Sequence, residues 1–342
     1  MNDHTALAIR AVGLVTSVGL SAPAACAAIR AKLTNPCETH YVDSAGEWIR
    51  AHEVPLDGPW RGLARLARMG AMAIEECLDQ VPREEWQQLP VFLCVAEQDR
   101  PGRLQALDEQ LLGEIQELLG VRFGPASAIV PHGRAAVAVA LMQARNLIKQ
   151  QRVARVLIVA VDSLLKWETL SHYERNDRLL TKRNSNGFMP GEGAGALLVT
   201  EPTGSAELLC GGLGFAMEAA HIDSSEPLRA DGLTSAIKAA LADGGCEMHE
   251  MEYRIADISG EQYYFLEASL AVSRVLRTRK RGFDIWHPAE CTGEAGAVAG
   301  VSVIAVADAA CRKGYSRGRD ILAHMSNDNG RRAAVTLHFT GA

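Results

Sequence analysis

The sequence predicts an α/β protein with largely parallel sheets, and three observations point there. Short apolar runs of strand length alternate with amphipathic segments of helical length along the chain. The run Val156-Leu-Ile-Val-Ala-Val161 is apolar at every position, as a strand buried on both faces requires. Just before it, residues 134–150 carry alanine and valine on most sides, which places that helix in the interior.

In chain order, Ala8–Val12 and Pro90–Ala96 read as strands. Between them Leu63, Leu66, Met69, Ala73, Ile74 and Cys77 recur at helical spacing, and Leu104, Leu107, Leu111, Ile115 and Leu118 form a second helical stripe. After the interior helix and its strand, residues 162–186 are polar and read as an exposed excursion. Strands are expected near 193–201 and 207–216. The rhythm then repeats: a helix over 233–243 stopped by Gly244-Gly245, a strand over 255–259, helices over 262–279 and 292–312, and strands over 320–326 and 333–339. No low-complexity segment, disordered linker or short-period repeat interrupts the pattern.

At 342 residues, the chain suits one large interlocked domain or two smaller ones. Hydrophobic residues make up 48% of it, ample for a core. With 35 basic against 41 acidic side chains the net charge is -6, which argues against nonspecific nucleic-acid binding. The eight cysteines are scattered without a C-x-x-C pair, fitting a reduced, cytoplasmic protein. Met1-Asn2-Asp3-His4 opens no signal peptide, and no apolar stretch reaches the roughly 18 residues of a membrane helix. The histidines lack paired ligand spacing, so no metal site and no cofactor is expected.

The most specific segment is Gly187-Phe-Met-Pro190-Gly191-Glu192-Gly193-Ala-Gly195, running into Ala196-Leu-Leu-Val-Thr-Glu201. Alternate glycines let the backbone pass through crowded geometry, and Glu192 can satisfy exposed amides. A dinucleotide loop is the rival reading. That loop is G-x-G-x-x-G opening a helix, whereas this one is G-x-G-x-G leading into a strand. The segment closely resembles the G-F-x-P-G-E-G-A-G signature of the β-ketoacyl-[acyl-carrier-protein] synthases, of the thiolase-like superfamily. Other pieces fall in that family's order: Gly13-Leu-Val-Thr-Ser-Val-Gly19, Ala236–Leu241, Asp257-Ile-Ser-Gly260 with Glu267-Ala268, Gly293-Glu-Ala-Gly296-Ala297, and Ser326-Asn327. The resemblance covers about residues 8 to 339.

Such synthases attack a thioester with a cysteine at a helix N-terminus, and two histidines assist decarboxylation. At the first of these positions the chain reads Ile129-Val-Pro-His132-Gly133-Arg134-Ala-Ala136, with Gly133 in place of cysteine. A slip of one residue offers His132 or Arg134, and neither is a thiol. The first histidine's place holds Ser259, in Ser259-Gly260-Glu261. The second's holds Glu290, in Ala289-Glu290-Cys291-Thr292-Gly293, and the family's lysine corresponds to Ile285. The late glycine loop becomes Asn327-Asp-Asn-Gly-Arg-Arg332, which puts its oxyanion hole and gatekeeper phenylalanine in doubt. Losing the nucleophile, both histidines and the lysine removes every proton carrier the condensation requires. A new base–nucleophile–carboxylate set is the alternative, from His132, Ser259 and Glu290 or with Cys291 as nucleophile. No motif such as G-x-S-x-G surrounds Ser259.

The resemblance implies a thiolase-like fold of five layers, with two similar βαβαβ-type halves (1–205 and 206–342) around buried central helices. It also implies dimerisation through the N-terminal half, as a homodimer or as a heterodimer with an active synthase. Loss of the catalytic set implies a non-catalytic binding, partner or accessory subunit. The chain-length factors of polyketide systems and the accessory proteins of type VI secretion clusters are precedents, with acyl carrier protein or a secretion-cluster protein as partner. The alternative function is a divergent acyl-thioester hydrolase or acyltransferase. The basic run Arg277-Thr-Arg-Lys-Arg281 reads as a solvated helix end, or else as a face for an acidic carrier protein.

Overall fold

Residues 156, 158 and 160 pack on one side of their strand, and residues 157, 159 and 161 pack on the other. That period of two, with both faces apolar, gives the strand a helix layer above and another below. The computed structural model describes residues 6–150 and 152–341, so the reading of Met1–His4 lies outside the described residues.

The first half of the chain contributes β1 (Leu7–Val15), α1 (Ala22–Arg30), a small hairpin of β2 (Cys37–Val42) and β3 (Trp48–Ala51), α2 (Gly62–Cys77), β4 (Val91–Cys94) and α3 (Leu107–Leu119). It continues with β5 (Ala128–Val130), α4 (Ala136–Lys149), β6 (Arg155–Ser163), α5 (Trp167–Arg175) and β7 (Glu192–Thr200). The second half contributes β8 (Leu208–Met217), α6 (Asp231–Gly244), β9 (Tyr253–Ala256), α7 (Gln262–Val275), β10 (Ile285–Trp286), the single turn α8 (Ala289–Thr292), α9 (Ala299–Arg312), β11 (Asp320–Ser326) and β12 (Arg331–Phe339).

Ten strands pair in the order β10-β9-β11-β12-β8-β1-β7-β6-β4-β5. Outward from the central pair, β1-β7-β6-β4-β5 and β8-β12-β11-β9-β10 follow the same sequence of roles. The two sets join where β1 pairs β8 antiparallel, Leu7 opposite Cys210 and Ile9 opposite Leu208. One core cluster holds α4, α9 and the facing sides of both sets; α2 and α3 cover the outer face of the first set, and α6 and α7 that of the second. The result is five layers with α4 and α9 in the middle.

Four sequence expectations need correction. The sheet is mixed rather than largely parallel: β4 with β5 and β6, and β9 with β10 and β11, are parallel, while the remaining pairs are antiparallel. No crossover helix packs over the sheet between β6 and β7 or between β11 and β12, so each pair runs antiparallel. The 162–186 stretch is no exposed excursion. It contains α5, and Asp162, Leu164, Leu170, Tyr173, Arg178 and Leu179 are buried, the polar ones because each finds a partner. The expected helix over 292–312 is broken at Gly293 (φ 70°) and Gly296 (φ 55°), and α9 begins only at Ala299. The helix expected to reach 279 ends at Val275, and Lys280 instead donates to the backbone carbonyls of His249 and Met251. No helix among the described residues is long and apolar enough to cross a membrane.

Candidate functional site

Each central helix is entered through the same backbone device. After β5 the chain reaches Gly133 at φ 53°, makes one 3-10 turn over 133–135 and enters α4. Ahead of α9, Gly296 sits at φ 55°, makes one 3-10 turn over 296–298 and leads into the helix. Left-handed backbone of this kind favours glycine, and space enforces it here. A Cβ on Gly133 would collide with the Glu97 carboxylate and lie 2.6 Å from Asn327 Oδ1; a Cβ on Gly296 would collide with Asp162. The next backbone amide in each turn donates to a side chain near the end of a strand: Arg134 N–H to Asn327 Oδ1 (3.2 Å) and Ala297 N–H to Asp162 Oδ2 (2.9 Å).

Between the two turns lies a network of three buried arginines. Arg100 donates to both Glu97 oxygens (2.9 and 2.6 Å) and lies 3.2 Å from Asp162 Oδ2, tying the two glycine corners together. Arg134 reaches Glu294 (3.2 Å), Asp328 (2.6 Å) and the Tyr264 hydroxyl (2.6 Å), with Asp257 3.7 Å from its Nε. Arg178 forks onto Glu261 (2.7 and 2.8 Å) and onto Asp328 (2.8 and 3.1 Å). Both of these guanidiniums lie over aromatic rings, Arg134 4.5 Å from the Tyr264 centroid and Arg178 5.0 Å from that of Tyr173. Buried charges of this density hold only where each is paired and hydrogen-bonded.

Protonation follows from this packing. Burial raises the pKa of Asp257 to about 7 against the pull of Arg134, and one of its oxygens has no hydrogen-bond partner. Burial likewise pushes the Glu294, Glu261 and Asp162 carboxyls up, each opposed by its arginine. Asp328 goes the other way: burial alone would raise it, but Arg134 and Arg178 hold it well below the usual carboxylate range. The space left among these groups is about 10 Å³, room for one water and nothing larger.

The positions singled out from the sequence separate into two groups. Gly133, Gly296 and Asn327 meet at this network. Ser259 stands beside Glu294, its hydroxyl buried and closing no hydrogen bond of normal geometry. His132 precedes Gly133 with its Nδ1 buried and unpartnered. Glu290 lies apart: it is exposed and pairs with Lys32, with His287 Nδ1 3.9 Å away. Cys291 is buried with its sulfur 4.0 Å from the Ile29 carbonyl, and burial raises its pKa, which disfavours thiolate. The signature segment packs against the same region. Gly191 N–H donates to Glu294 O and Glu294 N–H to Met189 O, both 2.8 Å, while Pro190 bridges to Glu294. Glu192 accepts from Val54 N–H (3.0 Å), Arg65 Nε (2.9 Å) and Ser163 Oγ (2.9 Å), so it anchors three segments without entering the network. Gly187, Gly193 and Gly195 press against Leu179, Val15 and Val301, and Gly293 lies against His52.

Sequence reasoning did not anticipate Glu97, Arg100, Asp162, Arg178, Glu261, Glu294 and Asp328 as a set. The available signal was charge in the wrong place. Asp162 directly follows the apolar run 156–161, and Glu294 stands where the pattern that its segment resembles has alanine. A separate groove of about 940 Å³ opens beside the β2–β3 hairpin and the start of α2, lined by Trp60, Arg61, Leu104 and Leu107 among others; Arg100 borders both spaces.

No family model and no curated protein matches the sequence. Solved structures do match. The ishigamide ketosynthase/chain length factor is 17% identical, with a TM-score of 0.76 over 98% of this chain and 100% of that one. A chain of the AntDE:AntF complex, a type II PKS acyl-carrier protein with its ketosynthase bound to the hexaketide, is 15% identical with a TM-score of 0.77, over 97% and 98%. A β-ketoacyl synthase from Burkholderia phymatum STM815 is 14% identical with a TM-score of 0.75, over 98% and 99%. These superpositions run the full length of the chain, which has the thiolase-like fold of the β-ketoacyl synthases.

Proposed function

We propose that this chain is a non-condensing protein on the synthase fold, a binding or partner subunit rather than a catalyst of carbon–carbon bond formation. The observation that carries the reading is the filled corner at Gly133. A nucleophile there would need a side chain where Glu97 and Asn327 already stand, and the remaining space of about 10 Å³ admits no thioester. Arginines and carboxylates locked in ion pairs offer neither a thiolate nor a poised imidazole.

A heterodimer with an active synthase is the favoured assembly, with a homodimer as the alternative. Neighbours on this fold include a ketosynthase/chain length factor and a ketosynthase in complex with its chain length factor. A role as an accessory protein of a secretion cluster is the second form of the same reading, and both place the chain in the cytoplasm, where its eight cysteines stay unpaired. The hydrolase alternative is weakened by the scatter of its members, because Glu290 is exposed and Cys291 faces the Ile29 carbonyl.

The test is incubation of the pure protein with acyl-carrier and acyl-CoA thioesters, followed by intact mass. No covalent addition is expected; an adduct on Cys291 or Ser259 would overturn the proposal. Affinity capture from cells should return a complete condensing synthase if the partner-subunit form is right, and a secretion-cluster component if the accessory form is.

A further inference from the structure

The carboxylate of Asp328 is bound as a ligand would be. It accepts from Arg134 Nη2 (2.6 Å), Arg178 Nη1 (2.8 Å) and Nη2 (3.1 Å), and from the hydroxyls of Tyr264 (2.5 Å) and Tyr173 (3.0 Å). Those donors come from the turn before α4, from α5 with the loop that follows it, and from α7, so three separate pieces of chain converge on one carboxylate. Two guanidiniums and two phenols around a planar anion form a recognition set for a carboxylate. An aspartate in a turn needs far less, one or two local backbone amides.

Asp328 sits at the tip of the β11–β12 connection, a turn closed by Gly330 N–H onto Asn327 O (3.2 Å) with Gly330 at φ 89°. Its side chain is 19% exposed, against 5% for Glu261 and 8% for Glu294, so the cradle opens outward behind this turn. The other two acids already hold their own arginines: Glu261 takes Arg178 through two bonds, and Glu294 takes Arg134. Asp257 and Asp223 lie farther off, 3.7 Å from Arg134 Nε and 3.9 Å from Arg178 Nη1. Removing Asp328 therefore leaves donors still aimed at an empty slot of carboxylate size.

We propose that Arg134, Arg178, Tyr173 and Tyr264 form a carboxylate-binding site that the protein fills in cis with Asp328. The ligand class is a single small carboxylate group. In the wild-type protein the 328 turn excludes it, and clearing the side chain exposes it.

The experiment compares Asp328→Ala, Asp328→Gly and Asp328→Asn with wild type by thermal unfolding in graded sodium formate, sodium acetate, acetamide and sodium chloride. Formate is expected to raise the midpoint of Asp328→Ala saturably, beyond chloride at equal ionic strength, because it replaces the lost carboxylate atom for atom. Acetate should act on Asp328→Gly and poorly on Asp328→Ala, whose remaining Cβ occupies the methyl position. Wild type and Asp328→Asn, with the slot occupied, should respond to none beyond the salt effect. A folded Asp328→Ala that follows ionic strength alone, or that responds equally to acetamide, would overturn the site. Should Asp328→Ala fail to fold in chloride, refolding yield is the readout: recovery in formate but not in acetamide supports the site, and equal failure in both sinks it.

Discussion

The turns at Gly133 and Gly296 are the same in backbone and opposite in chemistry. Both are glycines at φ 53° and 55°, both open a 3-10 turn into a buried helix, and both face a carboxylate that leaves no room for a Cβ. They part at the next residue. Ala297 uses only its amide, on Asp162, whereas Arg134 uses its amide on Asn327 and sends its guanidinium to Glu294 and Asp328. The fold therefore fixes where a helix begins and which amides are free. What fills the space in front of those amides is set by single side chains, and in this chain the choice is charge.

The largest break in that comparison comes from Arg134. Arg134→Ala strips the cation from Glu294, leaving it the Gly296 amide, and one of two arginines from Asp328, in a buried site. Leaving buried charges uncompensated costs about 3–5 kcal/mol, read as a lower denaturant midpoint with an unchanged slope. Ala297→Gly at the matching position removes only a methyl and should cost about 1 kcal/mol. Equal losses at the two positions would mean that Arg134 is no more than filler.

Next in size is a thiol placed at the Gly133 corner. Gly133→Cys meets both a left-handed φ and the Glu97 carboxylate, and strained backbone of this sort costs roughly 1–3 kcal/mol before any collision is counted. Gly296→Ala should lose a similar amount, since its φ and its carboxylate neighbour match. Gly133→Cys should also take no acyl group from a thioester by mass, because the surrounding ion pairs persist. Efficient acylation of that cysteine would show that the corner keeps working geometry for catalysis.

Much of the fold was legible because it is written in apolar periodicity. The run at 156–161, the stripe at Leu63–Cys77 and the glycine signature at 187–195 all lie in the core where patterning places them. The direction of strands was not legible, since alternation of strand and helix does not reveal that β7 and β12 return without a crossover helix. The site was half legible. Gly133 could be found from its neighbours in sequence, but the network beside it draws on Glu97, Arg100, Asp162, Arg178, Glu261, Glu294 and Asp328, spread over six segments. Nothing in the spacing of residues 162–186 announces that Arg178 is buried; its partners Glu261 and Asp328 lie 83 and 150 positions away. Polar residues looked like surface because pairing across such distances leaves no local pattern.

The finest difference lies within the Gly133 corner, in the response to pH of two acids on Arg134. Asp257, beside Arg134, has its pKa raised by burial from 3.8 to about 7, while Asp328, on the same guanidinium, is lowered by Arg134 and Arg178. For Asp257 the folded state keeps its proton where the unfolded chain has lost it, so stability is highest below about pH 4 and falls as pH rises toward 7. For Asp328 the folded state is the more acidic, so its contribution is present above the unfolded pKa and is lost as pH falls through and below it. Asp257→Asn deletes the first slope and leaves the second. Its stability relative to wild type should therefore rise steadily between pH 4 and 7 and then level off, while Asp328→Asn should lose most relative to wild type at neutral pH and least in acid. Denaturant midpoints taken at half-unit steps separate the two. A pH-independent difference for Asp257→Asn would mean that this carboxyl is not held neutral by burial, and that Asp257 and Asp328 are ionised alike.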